Sequence, residues 1–168
     1  LQAVDPHAAV RRHLTYDGER IQAGNRRWDA AAIDRLRLIA VGKASVPMAR
    51  AAVEVLGERI TDGVVVTKTG HANGHGLPER LTVTEAGHPI PDQDGLAASR
   101  RVIDLLETTR ADDRVLLLLS GGGSALLPAP VAELNLDDLQ ATTDALLRAG
   151  ATIGELNTVR KHLSQLKG

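Results

Sequence analysis

Short apolar runs alternate along most of this chain with longer stretches of helical periodicity. Leu36–Val41 is a mainly apolar run of strand length that ends in Gly42. Ala44–Leu56 follows with helical spacing, and Pro47 falls in its first turn, where a missing N–H costs least. Gly63–Thr67 and Leu81–Glu85 predict two further strands, and 94–108 a helix with Leu96, Val102, Ile103 and Leu106 on roughly one face. Val115–Leu119 is uninterrupted in its apolar character, the pattern expected of a central parallel strand buried on both faces. Two helices close the pattern, 136–149 and 153–166; in the last, Leu156, Val159, Leu163 and Leu166 fall at spacings of three, four and three. Near the start, Asp5-Pro6 opens a helix over 5–14, with Asp as N-cap and Pro at the first helical position. The stretch 16–35 is polar, contains Gly18, Gly24 and Asn25, and reads as an irregular connection.

Strands alternating with helices imply βαβ units, an α/β fold and a mostly parallel sheet. In such sheets ligands bind at the carboxyl ends of the strands. Each unusual loop of this chain follows a strand: Gly42-Lys43, residues 68–76, residues 87–92 and residues 120–124. They are expected to line one edge of the sheet. The 168 residues, 43% of them hydrophobic, suffice for one real core and predict a single domain.

Composition then removes several classes of function. With one Trp, one Tyr and no Phe, the core is packed from Leu, Val, Ile and Ala, and no stacking platform for single-stranded nucleic acid can be built. Lys and Arg number 20 against 21 Asp and Glu, a net charge of −1, which argues against nucleic acid as a partner. The absence of cysteine excludes disulfides, thiolate chemistry and cysteine-based zinc sites. No apolar stretch approaches the ~20 residues of a membrane span, and the N-terminus lacks the layout of a signal peptide. The expectation is a cytoplasmic domain with no membrane partner.

The candidate chemistry sits in the loops. Ser120-Gly121-Gly122-Gly123-Ser124 follows the most apolar strand. Its glycines remove Cβ atoms so that backbone N–H groups can converge on an anion, and its serines add hydroxyl donors. It is neither a Walker A loop, since no Gly-Lys-Ser/Thr closes it, nor Gly-x-Gly-x-x-Gly, since Leu126 holds the last glycine's place. Lys43 stands between a strand and a helix, where the helix dipole disfavours a cation and a bound anion would compensate. Pro89 and Pro91 stiffen the segment carrying His88 and Asp92, a rigid presentation that suits proton transfer or hydroxyl binding; Asp92 or Asp94 could equally cap the next helix. His71 and His75 have a spacing that suits a metal only on a helix, which the intervening Ala-Asn-Gly opposes, so no metal site is expected there. Arg160, Lys161 and Lys167 lie on or just past the final helix, with Arg160 and Lys167 on one face; a solvated basic face is the default reading, and the neighbouring loops add phosphate binding.

Four segments in this order resemble the glycerate 2-kinase family that carries the MOFRL domain. They are Val41-Gly42-Lys43-Ala44 with Met48-Ala49, Gly87-His88-Pro89-Ile90-Pro91-Asp92, Leu119 through Leu126, and Asn157 through Ser164 with Lys167-Gly168. The strand end Val65-Val66-Thr67-Lys68 fits more loosely. The resemblance implies a three-layer α/β/α Rossmann-like N-terminal domain over 1–168, a second α/β domain outside this chain, and an active site in the cleft between the two. It implies ATP-dependent phosphorylation of the 2-hydroxyl of D-glycerate to give 2-phosphoglycerate, with Mg²⁺ accompanying ATP. By matching position, Lys43 is the expected catalytic lysine. Ser120, Gly121, Gly122, Gly123, Ser124, His88, Asp92, Arg160, Lys161 and Lys167 are the expected substrate- or phosphate-binding residues. Family members are more than twice as long, so this chain is expected to hold half of an active site, to bind anions weakly and to turn over nothing alone. An apolar face left uncovered could drive a homodimer. Two rival readings are a hydroxypyruvate reductase, a label such relatives often carry, and a non-catalytic sugar-phosphate-binding module of the SIS type, which Gly42-Lys43-Ala44-Ser45 faintly resembles.

Overall fold

A computed structural model of the chain describes residues 5–72, 74 and 76–167. His75 and Gly168, named in the readings above, lie outside the described residues. The chain opens with α1 (Pro6–His13), whose N-cap Asp5 accepts a hydrogen bond from the His7 N–H, as the Asp-Pro pair predicts. Three short strands follow, β1 (Leu14–Tyr16), β2 (Arg20–Ala23) and β3 (Arg26–Asp29), paired antiparallel in that order. The irregular connection expected over 16–35 is therefore corrected to a small sheet. Its turns explain it: Asp17 Oδ1 accepts from the N–H groups of Glu19 and Arg20, and Gly24 takes φ +57 in the two-residue turn that pairs Ala23 with Arg26.

The main sheet contains β4 (Leu36–Val41), β5 (Ile60–Lys68), β6 (Leu81–Ala86) and β7 (Arg114–Leu119), all parallel, in the order β6-β5-β4-β7. The first strand of the sheet thus has its successors on one side and the last strand on the other. That reversal of direction is a topological switch point between β4 and β7.

Helices cover both faces. α2 (Ser45–Leu56) packs Ala49, Ala52 and Leu56 against Leu38, Ala40 and Val65, together with α1 and the small sheet. On the opposite face α3 (Gln93–Glu107) brings Ala98, Val102 and Leu105 onto Ile39, Val41, Val64 and Val66. Alternation along β4 divides its side chains between the two cores, so the whole strand is buried. The short α4 (Gly123–Leu126) follows β7, and α5 (Leu136–Arg148) and α6 (Ile153–His162) end the described fold, each opened by a capping box, Asn135 with Asp138 and Thr152 with Glu155.

The expectation of a central, doubly covered β7 is corrected. β4 and β5 are the inner strands, and β7 lies at the sheet edge with Leu117 and Leu119 58% and 64% exposed. They are in register with Ile39 and Val41, but α3 covers the sheet farther towards β5 and does not reach them. An apolar run shows that a strand can be buried on both faces; it carries no information on whether an element lies over it. Lys167 also departs from expectation, since α6 ends at His162 and Lys167 lies beyond it rather than on a helix face shared with Arg160.

The amino ends of the two switch-point strands are fastened by ionic contacts. Arg35 donates to both oxygens of the buried Asp113, and the Arg114 N–H donates to the Arg35 carbonyl. On the same level the buried Arg37 of β4 bonds both Asp62 oxygens and the Leu105 carbonyl, joining β4 to β5 and to the end of α3. The hydrogen bond from Arg35 holds the Asp113 carboxyl down from 3.8 to about 2. A carboxyl depressed in the folded state stabilises it above the unfolded pKa, and that contribution is lost as pH falls from about 4 towards 2. Asp113→Asn is expected to lower stability at neutral pH and to flatten the fall in stability over that acid window; urea midpoints measured across it check this.

Candidate functional site at the switch point

The loops after β4 and β7 lie side by side and are sewn together by backbone. The Ser120 N–H donates to the Val41 carbonyl at 2.9 Å, and the Lys43 N–H to the Gly121 carbonyl at 2.9 Å. The Ala44 N–H donates to Ser120 Oγ at 3.1 Å. Gly42 permits this approach. It takes φ +122 and is buried, and a Cβ there would run into Ser120 Oγ and stand 2.5 Å from the Ser120 carbonyl oxygen.

Beyond this seam the glycine loop turns on Gly122, at φ +95. The backbone N–H groups of Gly121, Gly122, Gly123 and Ser124 take no hydrogen-bond partner among the described residues. Unpaired donors grouped on one turn are what an anion-binding nest requires. Two side chains reach the same spot. A Cβ added to Gly122 would lie 3.0 Å from His88 Cδ2, 3.2 Å from His88 Nε2 and 3.3 Å from Lys43 Cε. The structure therefore brings Lys43, His88 and the Ser120–Ser124 loop together. His88, Ser120 and Gly122–Ser124 border an open cleft of about 370 Å³ whose walls also include Asn157, Arg160 and Ile153, with the Lys43 side chain beside it at Gly122.

The segment presenting His88 is held from several elements. The Asp92 carboxylate accepts from the Gly95 N–H at 2.9 Å and caps α3, so the capping reading describes this residue. Gln140 of α5 donates to the Pro91 carbonyl at 2.7 Å, and Arg160 of α6 donates to the Pro89 carbonyl at 3.1 Å. Arg160 thus both lines the cleft and fastens the loop opposite it. On the other flank Glu85 accepts from the Ala72 N–H at 2.7 Å, and His71 Nδ1 lies 3.3 Å from the Lys43 carbonyl. Backbone donors at Ala72, Gly70 and His71 hold the Glu85 carboxyl below its ordinary value.

The electrostatics favour an anion. Lys43, Lys68 at the end of β5, and Arg160 act on His88, and after burial they are the main causes that push its pKa down. The two nearby carboxylates, Glu85 and Asp92, are occupied with backbone N–H groups. Lys161 is exposed on α6 and does not line the cleft. Lys167 Nζ turns into a separate crevice, donating to the Leu127 carbonyl at 2.5 Å, and burial together with Arg160 brings it down to about 8. Sequence reasoning missed Asn157 and Ile153 as cleft residues and Gln140 and Glu85 as its supports. Asn157 lay within a recognised motif, whereas Gln140 and Glu85 gave no local signal. No group of three or more His, Asp and Glu able to hold a metal ion occurs among the described residues, and no helix among them is long and apolar enough to cross a membrane.

Over residues 1–168 the chain matches the family described as "Domain of unknown function (DUF4147)". It is 52% identical over 136 residues to the D-glycerate 2-kinase of Thermotoga maritima, an alignment covering 81% of this chain and 32% of that protein. It is 41% identical over 168 residues to the glycerate 2-kinase of Pyrococcus horikoshii, covering 100% of this chain and 37% of the relative. A crystal structure of a Pyrococcus horikoshii protein superposes with a TM-score of 0.88 at 40% identity, over 99% of this chain and 37% of that one. The chain spans about a third of the length of the curated relatives it matches.

Proposed function

The chain belongs to the DUF4147 family, and from that premise we propose that its switch-point cleft is part of the site at which a glycerate 2-kinase transfers a phosphoryl group from ATP to the 2-hydroxyl of D-glycerate, giving 2-phosphoglycerate. One observation carries the reading: Lys43 and His88 converge over Gly122, beside a run of unpaired backbone N–H groups. Phosphoryl transfer asks little of a protein beyond positioning and charge stabilisation, and this arrangement offers both. The N–H nest would hold phosphate or carboxylate oxygens. The Lys43 ammonium would neutralise charge on the group in transit, and Arg160 would add a second cation at the cleft wall. ATP fits the donor set, which is cationic and rich in N–H groups. Among the described residues no Asp or Glu lines the cleft, so these residues do not supply ligands for Mg²⁺.

The names of the relatives support the substrate, and the missing Gly-x-Gly-x-x-Gly weighs against a dinucleotide reductase. The relatives are longer, so the remaining catalytic groups are assigned to polypeptide beyond these residues, and 1–168 alone should bind anions weakly without turnover. A coupled ADP-release assay on the full-length polypeptide, with D-glycerate and hydroxypyruvate offered in parallel, tests this. ADP release with D-glycerate is the expected result. NADH oxidation with hydroxypyruvate and no ADP, or glycerate phosphorylation by purified 1–168, would contradict it.

A further inference from the structure

We propose that His88 is the base that takes the proton from the 2-hydroxyl of glycerate, an inference that rests on the phosphoryl-transfer reading above. Its support begins with geometry. The edge of the ring turned to Gly122 is Cδ2–Nε2, directly beside the Lys43 side chain and inside the cleft. In the Nδ1–H tautomer the Nε2 lone pair faces the cleft.

The neighbouring acid–base groups lie outside the lining of the cleft or are wrongly charged. Asp92, on the same segment, accepts from the Gly95 N–H, and Glu85 of β6 accepts from the Ala72 N–H. Lys167 is fastened to the Leu127 carbonyl in another crevice. Lys43 from the β4–α2 loop, Lys68 from β5 and Arg160 from α6 all act on His88 as cations. Among the described residues lining the cleft, His88 is thus the group with a free basic lone pair.

The cations have a second consequence. In the free protein they and partial burial disfavour imidazolium, so the ring is neutral and able to accept a proton at neutral pH. Bound carboxylate and triphosphate would offset those same positive charges, making the ring more basic only once both substrates are in place. The step then balances simply. The hydroxyl oxygen forms its bond to the γ-phosphorus of a nucleoside triphosphate, and the bond from that phosphorus to the β–γ bridging oxygen breaks. The electron pair leaves with the nucleoside diphosphate. The hydroxyl proton passes to Nε2, and water takes it from the imidazolium after product release.

The test compares pH profiles of kcat/KM for D-glycerate in the full-length polypeptide and its His88→Gln variant. The wild type should lose activity on the acid side as His88 becomes protonated. The variant should be about 100-fold slower near neutrality, should lack that acid limb, and should keep its KM for ATP within about twofold. A variant that is slower but retains the wild-type limb would overturn the assignment while leaving the kinase reading intact. A wild type that forms no ADP with D-glycerate would instead remove the kinase reading. Independently of any variant's folding, NMR titration of the His88 ring in the wild type should find it below its ordinary 6.5, and a value at or above that also overturns the proposal.

Discussion

Lys43→Met in the full-length polypeptide is expected to lower kcat/KM for D-glycerate by about 1,000-fold, with thermal unfolding shifted by no more than about 1 °C. The two halves of that result have separate causes. Lys43 is exposed, and its structural bonds are made by its backbone, the N–H to the Gly121 carbonyl and the carbonyl to His71. Replacing the side chain leaves those bonds in place. The side chain, by contrast, runs alongside Gly122 next to His88, its Cε 3.3 Å from a Cβ placed there. On the proposed kinase reading, removing the Lys43 cation removes its share of the charge stabilisation of a phosphoryl group in transit. A sugar-phosphate-binding module would lose affinity alone, so steady-state kinetics and a melt measured together decide between the two. The substitution has a further signature. Lys43 is one of the charges that press the His88 pKa down, so the ring should titrate at higher pH in the variant than in the wild type.

Gly42→Ala should do the opposite kind of damage. The residue sits at φ +122, where an L side chain is strained by about 1–3 kcal/mol. Its Cβ would also meet the backbone at the end of β7, 2.5 Å from the Ser120 oxygen and 2.7 Å from its carbonyl carbon. That backbone cannot step aside easily, because Ser120 and Gly121 are bonded to Val41 and Lys43 across the seam. Adding about 1–3 kcal/mol for overpacking gives an expected loss of about 2–6 kcal/mol. In a chain of this size that corresponds to a fall in Tm of roughly 4–24 °C. Gly121→Ala is the control. A Cβ there meets nothing within 4 Å, so its melt should stay close to wild type. Equal effects at the two positions would mean that the close approach of the loops is not what requires Gly42.

The fold was legible in the sequence wherever a segment satisfies itself locally. Asp5-Pro6, Leu36–Val41 and the periodic stretches became α1, β4 and the helices with small shifts at their ends. The small antiparallel sheet was not legible. Its strands are three or four residues long, and β2 and β3 together bury one residue, Ile21. Too few apolar positions alternate there for a period of two to stand out against the turn residues. The Gly24-Asn25 pair, a hairpin turn between strands, looks in isolation like any loop.

The site divides along the same line. The glycine loop, Lys43 and His88 were visible as residues, because glycines after a buried strand and a stiffened His segment are unusual by themselves. Their meeting was not visible. Ala44 and Ser120 are 76 positions apart and Arg160 and Pro89 are 71 apart, and only strand order and helix packing make them neighbours. Parallel strands of similar composition carry no local mark of their place in a sheet, and that is why Val115–Leu119 read as central while β4 and β5 took the inner positions. The sequence by itself determined the alternating elements and the glycine-rich make-up of the loops, since these follow from side-chain periodicity and the absence of Cβ atoms. The tertiary structure decided that β4 and β7 lie side by side at the switch point. It placed Lys43 and His88 over one turn of backbone, and it turned Lys161 and Lys167 away from the cleft, because relative position is set by long-range packing that no local pattern encodes.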